Sequence, residues 1–195
     1  MNPPVVDAVV LAAGSSSRLG QPKQSIRLHD ETLLDRTVTT ALACVSGEVH
    51  VVLGAGASTL LPELEKRPVR PHIYEQWQRG QQSSLLFGLA QTAPDRAVLI
   101  LLTDQYRVTP AHIHALVQAW LSCPSRPAAA SYTNTLGVPV VWPREYVEPL
   151  RAASRAQGLL QPDTCTVVPM AAAAYDLDTP EQLDLLREFE RGAVG

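Results

Sequence analysis

Near the amino terminus lies the stretch Val9-Val10-Leu11-Ala12-Ala13-Gly14-Ser15-Ser16-Ser17-Arg18-Leu19-Gly20-Gln21-Pro22-Lys23-Gln24, in which an apolar run breaks at a glycine and gives way to hydroxyls, an arginine and a lysine. Small residues let a backbone approach a ligand closely and turn its N–H groups inward, the arrangement that binds anions. Arg18 can hold two oxygens at once, and Lys23 can act as a movable point charge. Together they suit a polyphosphate. The stretch is not a Walker loop, because no Gly-Lys-Ser/Thr follows Gly14 at the required distance. By itself it also fits a strand end followed by a polar turn.

Carboxylates come next. Asp104 closes the apolar run Val98–Leu102 after Thr103. A carboxylate there is costly unless it is paired, hydrated or bound to a cation. It either caps a turn before the helix at Pro110 or ligates Mg²⁺ together with substrate phosphates. A second acidic cluster is Asp176-Leu177-Asp178-Thr179-Pro180-Glu181. If this segment is a strand, Asp176 and Asp178 share one face; Asp178 equally suits the lead-in to a capped helix. Asp104 with Asp178 would make a two-carboxylate magnesium site.

Two further stretches carry glycine. Gly80-Gln81-Gln82-Ser83-Ser84 opens a helix, as a plain N-cap or as a ligand-facing turn. Gly54-Ala55-Gly56-Ala57-Ser58-Thr59 resembles a dinucleotide fingerprint with threonine in place of the last glycine, and only Glu75 could serve as its ribose-binding acid. His112 and His114 stand two apart on a helix and face different ways, so they form no metal pair. A Gly-x-Ser-x-Gly hydrolase elbow is absent from the sequence.

The elements that must position these residues alternate. Val5–Leu11, Val49–Leu53 and Val98–Leu102 read as buried parallel strands. Val69–Tyr74 is a weaker strand because Pro71 interrupts it. Helical periodicity runs through Leu33–Leu42, Ser58–Lys66, Ser83–Gln91 and Pro110–Leu121, the last with Thr109 as N-cap. A final helix begins at Thr179-Pro180-Glu181 and buries Leu183, Leu186 and Phe189. Residues 124–170 are proline-rich and less regular, with strands at Ala128–Tyr132, Val138–Trp142 and Cys165–Val168 in an edge or lid region. The alternation predicts an α/β fold, a mostly parallel sheet covered on both faces, with the ligand crevice beyond the carboxyl ends of its strands.

Composition narrows the function. With 46% hydrophobic and 18% charged residues among 195, the chain suits one well-buried domain rather than a disordered polymer. A net charge of −3 gives no electrostatic case for nucleic acid. No run reaches the length of a membrane span. The amino-terminal apolar run has no preceding Lys or Arg and is interrupted by Asp7, so no secretory leader is expected. Cys44, Cys123 and Cys165 lack metal-ligand spacing and read as reduced, buried small hydrophobes, which together with the missing leader points to a cytoplasmic protein.

Taken in order, the Leu11–Gln24 stretch, Gly80-x-x-Ser83-Ser84-Leu85, Thr103-Asp104-Gln105, Gly137-x-Pro139 and Asp176-x-Asp178-Thr179-Pro180-Glu181 resemble the molybdenum cofactor nucleotidyltransferases, in particular their cytidylyltransferase-like branch. The resemblance spans nearly the whole chain. It implies a Rossmann-like three-layer α/β/α fold of the nucleotide-diphospho-sugar transferase kind, one domain over residues 1–195, with 124–170 on the acceptor side. It further implies that Leu11, Ala12, Ala13, Gly14 and Ser15 bind the nucleotide and that Ser83 and Ser84 flank its base or ribose. Arg18 and Lys23 would neutralise the triphosphate, and Asp104 and Asp178 would hold Mg²⁺. The opening Ala-Ala-Gly-x-Ser favours CTP over GTP.

The implied reaction is attack by an acceptor phosphate, expected on molybdopterin, at the α-phosphorus of CTP, with pyrophosphate leaving. Departures from the family pattern concentrate on the acceptor side. Tyr106 replaces a proline, Val138 replaces a histidine, and Ala153-Ser154-Arg155-Ala156-Gln157-Gly158 stands where the family has Gly-Asp-x-Gly-Ala-Arg. Two rival readings remain: an oxidoreductase using a nicotinamide or flavin cofactor at Gly54, and a nucleotide-binding maturation partner of a molybdoenzyme without catalysis.

Overall fold

Every residue from Val6 to Ala12 is buried, Asp7 included, and this strand, β1, lies inside a seven-stranded sheet. The computed structural model describes residues 4–192, with side chains through Glu188. In chain order the elements are β1 (Val6–Ala12), β2 (Arg27–Leu28), β3 (Glu31–Thr32), α1 (Leu33–Cys44), β4 (Val49–Leu53), α2 (Ala57–Leu64), β5 (Arg70–Ile73) and α3 (Gln81–Leu89). There follow β6 (Ala97–Leu102), α4 (Pro110–Ser122), β7 (Ala128–Tyr132), β8 (Thr135–Trp142), α5 (Val147–Ala152), β9 (Thr166–Pro169) and α6 (Pro180–Gly192). The sheet order is β5-β4-β1-β6-β8-β7-β9, and β2 and β3 form a separate two-stranded pair. Strands β5, β4, β1 and β6 are parallel, β8 runs against both its neighbours, and β7 and β9 are parallel again. This is a Rossmann-like, mostly parallel sheet with helices on its two faces.

The period-two alternation of β1 divides the core. Ala8, Val10 and Ala12 pack with Leu34, Val38, Ile113, Leu116 and Trp120 of α1 and α4. Val9 and Leu11 pack with Leu85 and Leu89 of α3, and with Ile100, Val140 and Trp142 of the sheet. Helix α3 lies close to the sheet because Gly88 has no side chain; a Cβ there would stand 2.6 Å from Val9 Cγ1. A smaller cluster joins Leu19, Ile26 and Leu28 to Leu177, Leu183 and Leu186, which fastens α6 against the loop after β1. Leu183 and Leu186 are buried as expected, while the side chain of Phe189 lies outside the described residues.

Several expectations need adjusting. Pro71 does lie in a strand, and β5 tolerates it because it is an edge strand whose outward groups need no ladder partner. Residues 124–170 are not only an edge or lid: they supply β7, β8 and β9, and β8 lies beside β6 well inside the sheet. Asp176–Thr179 is irregular chain rather than a strand, so Asp176 points outward while Asp178 turns in. Cys44 and Cys165 are buried and unbridged, but Cys123 is half-exposed. Among the described residues no helix is long and apolar enough to cross a membrane.

The amino end of the sheet holds buried charge. Asp7 accepts from the Glu48 and Ala93 N–H groups at 2.8 and 3.3 Å and pairs with Arg96 Nη1 at 2.9 Å, so its buried carboxylate is satisfied. Beside it, His50 Nδ1 lies 3.0 Å from His72 Nε2 with the rings stacked. One ring must donate and the other accept, so the accepting imidazole must be neutral and the contact is lost if both rings are protonated. Burial holds both below their ordinary value of 6.5, against the pull of Asp7 and Glu48 on His50. The unfolded chain therefore takes up these protons first as pH falls. The pair's contribution to stability should be complete above the ordinary value and drain away below it. Urea midpoints on either side of that pH check this, and His72→Gln should shrink the difference; a midpoint that rises on acidification would contradict it.

Candidate active site

The carboxyl ends of β1 and β6 lie side by side, with Leu11 opposite Leu102 in register. That places the Ala13–Lys23 loop next to Thr103-Asp104. The loop folds tightly on itself: Leu19 and Gly20 N–H groups donate to the Ser16 carbonyl, and Ser16 and Gly20 take positive φ angles of 53° and 74°. The Lys23 N–H donates to Ser16 Oγ at 3.0 Å, which fixes where the lysine leaves the backbone.

Gln24, fully buried, is the latch beneath this loop. Its Nε2 donates to the Ala12 carbonyl at 3.0 Å and to the Gly14 carbonyl at 2.9 Å. The Ala55 N–H takes the Ala13 carbonyl at 3.1 Å. Since C=O and N–H of a trans peptide point opposite ways, the Ala13 and Ser15 N–H groups are turned away from Gln24. Gly14 and Ser15 are exposed, as a phosphate-binding turn requires. Gln24→Leu keeps the bulk but strips both carbonyls of their donor. It should lower stability by roughly 1–3 kcal/mol and raise the nucleotide KM more than it lowers kcat. Thermal unfolding and steady-state kinetics measure both; an unchanged KM would mean the loop holds its own shape.

The charged residues singled out in the sequence meet at one point. Lys23 Nζ lies 2.6 Å from Asp104 Oδ2 and 2.9 Å from Asp178 Oδ1, and Arg18 Nη2 lies 2.7 Å from Asp178 Oδ2. Lys23 and Asp104 have side chains only 15% and 16% exposed, whereas Arg18 is 72% exposed. Burial opposes the Lys23 ammonium, yet Asp104 and Asp178 outweigh it and hold its pKa above the ordinary value. Burial pushes the Asp104 carboxyl up, and Lys23 draws it back only in part. For Asp178 burial works upward but Lys23 and Arg18 win, leaving it below the ordinary carboxylate value. The Asp178 loop is held by Gln182 Oε1, which accepts from the Asp178 and Thr179 N–H groups.

These carboxylates fit a hard divalent cation. Two oxygens from different segments already converge on one cationic centre, and among the described residues the buried Oδ1 of Asp104 has no hydrogen-bond partner. Among the described residues no group of three or more His, Cys, Asp and Glu could hold a metal. A cation here would need further ligands from a substrate, which is how Mg²⁺ binds with one or two carboxylates and phosphates.

Next to the loop a cavity of about 640 Å³ opens between α3 and β8. Leu11, Leu85, Val140 and Trp142 form its apolar wall, and Arg79, Gln81, Arg155 and Gln157 are among its polar lining. Gln82 ties its two sides together: Nε2 donates to the Leu150 carbonyl at 2.9 Å and Oε1 accepts from the Ala156 N–H at 2.9 Å. Ser83 and Ser84 sit at the start of α3 as expected, but their hydroxyls already have protein partners. Ser83 bonds with Tyr74 and Ser84 with the Gly80 carbonyl, and neither lines the cavity. Gln24, Gln82 and Arg155 lie within stretches singled out in the sequence but had no legible role there, and Arg79 lay outside them, since a lone amide or arginine carries no spacing signal.

In the second glycine loop Gly54 is packed, while Gly56 faces open space. A Cβ at Gly54 would stand 2.6 Å from the Ala13 carbonyl and 2.7 Å from Trp77 Cβ. Its missing side chain serves the approach of one loop to the other.

Residues 8–163 match the family described as the MobA-like NTP transferase domain. Nicotine blue oxidoreductase of Paenarthrobacter nicotinovorans is 31% identical over 132 residues, a match that takes in 67% of this chain and 64% of that protein. The chain thus aligns with less than two thirds of that relative's length. Purine catabolism protein PucB of Bacillus subtilis is 28% identical over 205 residues, covering 96% and 98%. The crystal structure of Rv0371c from Mycobacterium tuberculosis H37Rv superposes with a TM-score of 0.81 at 25% identity, covering 96% of this chain and all of that one. Rv0371c has also been solved as a complex with manganese, which superposes with a TM-score of 0.76 at 21% identity.

Proposed function

The chain belongs to the MobA-like NTP transferase family, and from that premise we propose that this nucleotidyltransferase moves CMP from CTP to a phosphorylated small molecule, a molybdopterin phosphate, with Mg²⁺ as cofactor. One observation carries the reading: Asp104 and Asp178 converge beside a latched, glycine-containing loop at the carboxyl end of the sheet. The Ala-Ala-Gly-x-Ser opening favours CTP, and manganese bound to the fold neighbour Rv0371c is in keeping with a divalent metal.

In this reading the Ala13 and Ser15 N–H groups bind phosphate oxygens. An oxygen of the acceptor phosphate bonds to the α-phosphorus of CTP as the bond to the β-phosphate's bridging oxygen breaks, and pyrophosphate leaves. Arg18 and Lys23 stabilise the negative charge that moves onto pyrophosphate. The apolar wall of the cavity beneath Leu11 takes a flat ring, and its Arg79 and Arg155, with no acidic residue in the lining, suit an anionic acceptor. Asp104 and Asp178 would hold the metal, which when bound supplies charge neutralisation and orients phosphate oxygens. Most of the acceleration would then be positioning.

Pyrophosphate release with each of the four ribonucleoside triphosphates, Mg²⁺ and a phosphorylated pterin tests this. Release with CTP is expected; no consumption of any triphosphate would overturn it. The likeness to nicotine blue oxidoreductase favours a second reading, a nicotinamide- or flavin-dependent oxidoreductase. Gly54, the residue that would open a dinucleotide site, is filled by Trp77 and Ala13. A yellow preparation, or binding of a reduced nicotinamide dinucleotide, would restore that reading. CTP binding without turnover on any acceptor would instead support a maturation partner of a molybdoenzyme.

A further inference from the structure

Resting on the two-carboxylate reading above, we propose that Lys23 holds Asp104 and Asp178 closed to a divalent metal until a nucleotide triphosphate draws the lysine away, so that metal and nucleotide enter together. The ammonium is 2.6 Å from one carboxylate and 2.9 Å from the other, so a cation held by both carboxylates would have to displace it. An ammonium and a dication cannot share that place. Only the side chain of Lys23 has room to change: its backbone N–H is held by Ser16 Oγ and its residue opens a short helical turn. The flexible four-carbon stem lets the charge swing while the root stays fixed.

Charge balance points the same way. Two carboxylates face two cations, Lys23 and Arg18, so these four groups already balance in charge, with the exposed Asp176 acting on Asp104 from farther out. A dication arriving alone would leave surplus positive charge in a place where Lys23 and Asp104 are largely shielded from water. Arriving with a triphosphate it would not, because the phosphates give Lys23 a new partner and give the metal its remaining ligands. Arg18 serves as the natural contrast. It carries the same charge and touches Asp178, but it is mostly exposed and does not stand between the two aspartates.

The test is Mn²⁺ binding to the full chain, followed by electron paramagnetic resonance with and without α,β-methylene CTP, with thermal melting to confirm that each variant is folded. Lys23→Met should bind Mn²⁺ alone about tenfold or more tightly than the unchanged protein, the gain expected if the closed arrangement dominates ten to one. The analogue should then add less to metal affinity in Lys23→Met than in the unchanged protein. Lys23→Gln is the second variant should methionine disturb folding, and Arg18→Gln should give a much smaller gain. Equal gains from Lys23 and Arg18 variants, or none from Lys23→Met while Asp104→Asn loses the metal, would overturn the gate and leave the metal site standing. Undiminished Mn²⁺ binding by Asp104→Asn with the analogue present would overturn the metal site itself.

Discussion

Asparagine in place of Asp104 is expected to cut turnover by about a thousandfold, roughly 4 kcal/mol of transition-state stabilisation, with almost no change in melting temperature. The two halves of this prediction have separate origins. Asp104 lies in the turn just after β6, beside the nucleotide loop, and offers the metal an oxygen that is unpartnered among the described residues, so its charge is needed when the substrate is bound. For stability the same charge is a poor investment, because burial works against the ionised carboxyl and Lys23 offsets only part of that cost. Asparagine fills the same space, and the lysine left behind keeps Asp178 at 2.9 Å. Pyrophosphate release and thermal unfolding on the same preparation separate the two effects. A variant that melts early and regains turnover at low temperature would mean that Asp104 is structural.

Lys23→Met carries the second large expectation. Removing a preorganised charge from the leaving-group side should lower kcat by about a hundredfold. The fall should be larger in kcat/KM than in kcat, because Lys23 also meets the triphosphate in the ground-state complex. Arg18→Gln should lose less, since a side chain 72% exposed acts through solvent-screened charge. Equal losses from the two variants would contradict a special place for Lys23.

Apolar runs in the sequence located the strands of the main sheet, with Val49–Leu53 and Ala128–Tyr132 given the same bounds in sequence and structure, but not the short polar pair β2 and β3. The order and direction of the strands were harder to see. β7 and β8 form a hairpin across the two-residue turn Thr133-Asn134, but β8 also runs antiparallel to β6, a pairing between segments far apart that no local pattern encodes. The six-residue helix α5 carries Pro149 and too few apolar positions to show a period. At the site, residue types pointed to Lys23, Asp104 and Asp178, which are 81 and 155 positions apart and meet only in the fold. What spacing could not convey is that the lysine stands between the aspartates, or that buried amides, Gln24 and Gln82, shape the loop and the cavity. Ser83 and Ser84 show the opposite limit: they sit at the expected helix start, and their hydroxyls are engaged by Tyr74 and the Gly80 carbonyl.

The central claim is that the loop after β1 and the two aspartates together make one nucleotide–metal site. Crystals grown with Mn²⁺ and α,β-methylene CTP test it most directly through the anomalous scattering of the metal. A single strong peak is expected within about 2.2 Å of oxygens from both Asp104 and Asp178, with phosphate density against the Ala13 and Ser15 amides and Lys23 turned from the aspartates to the phosphates. A metal bound away from both aspartates, or a nucleotide seated at the Gly54–Thr59 loop, would contradict it.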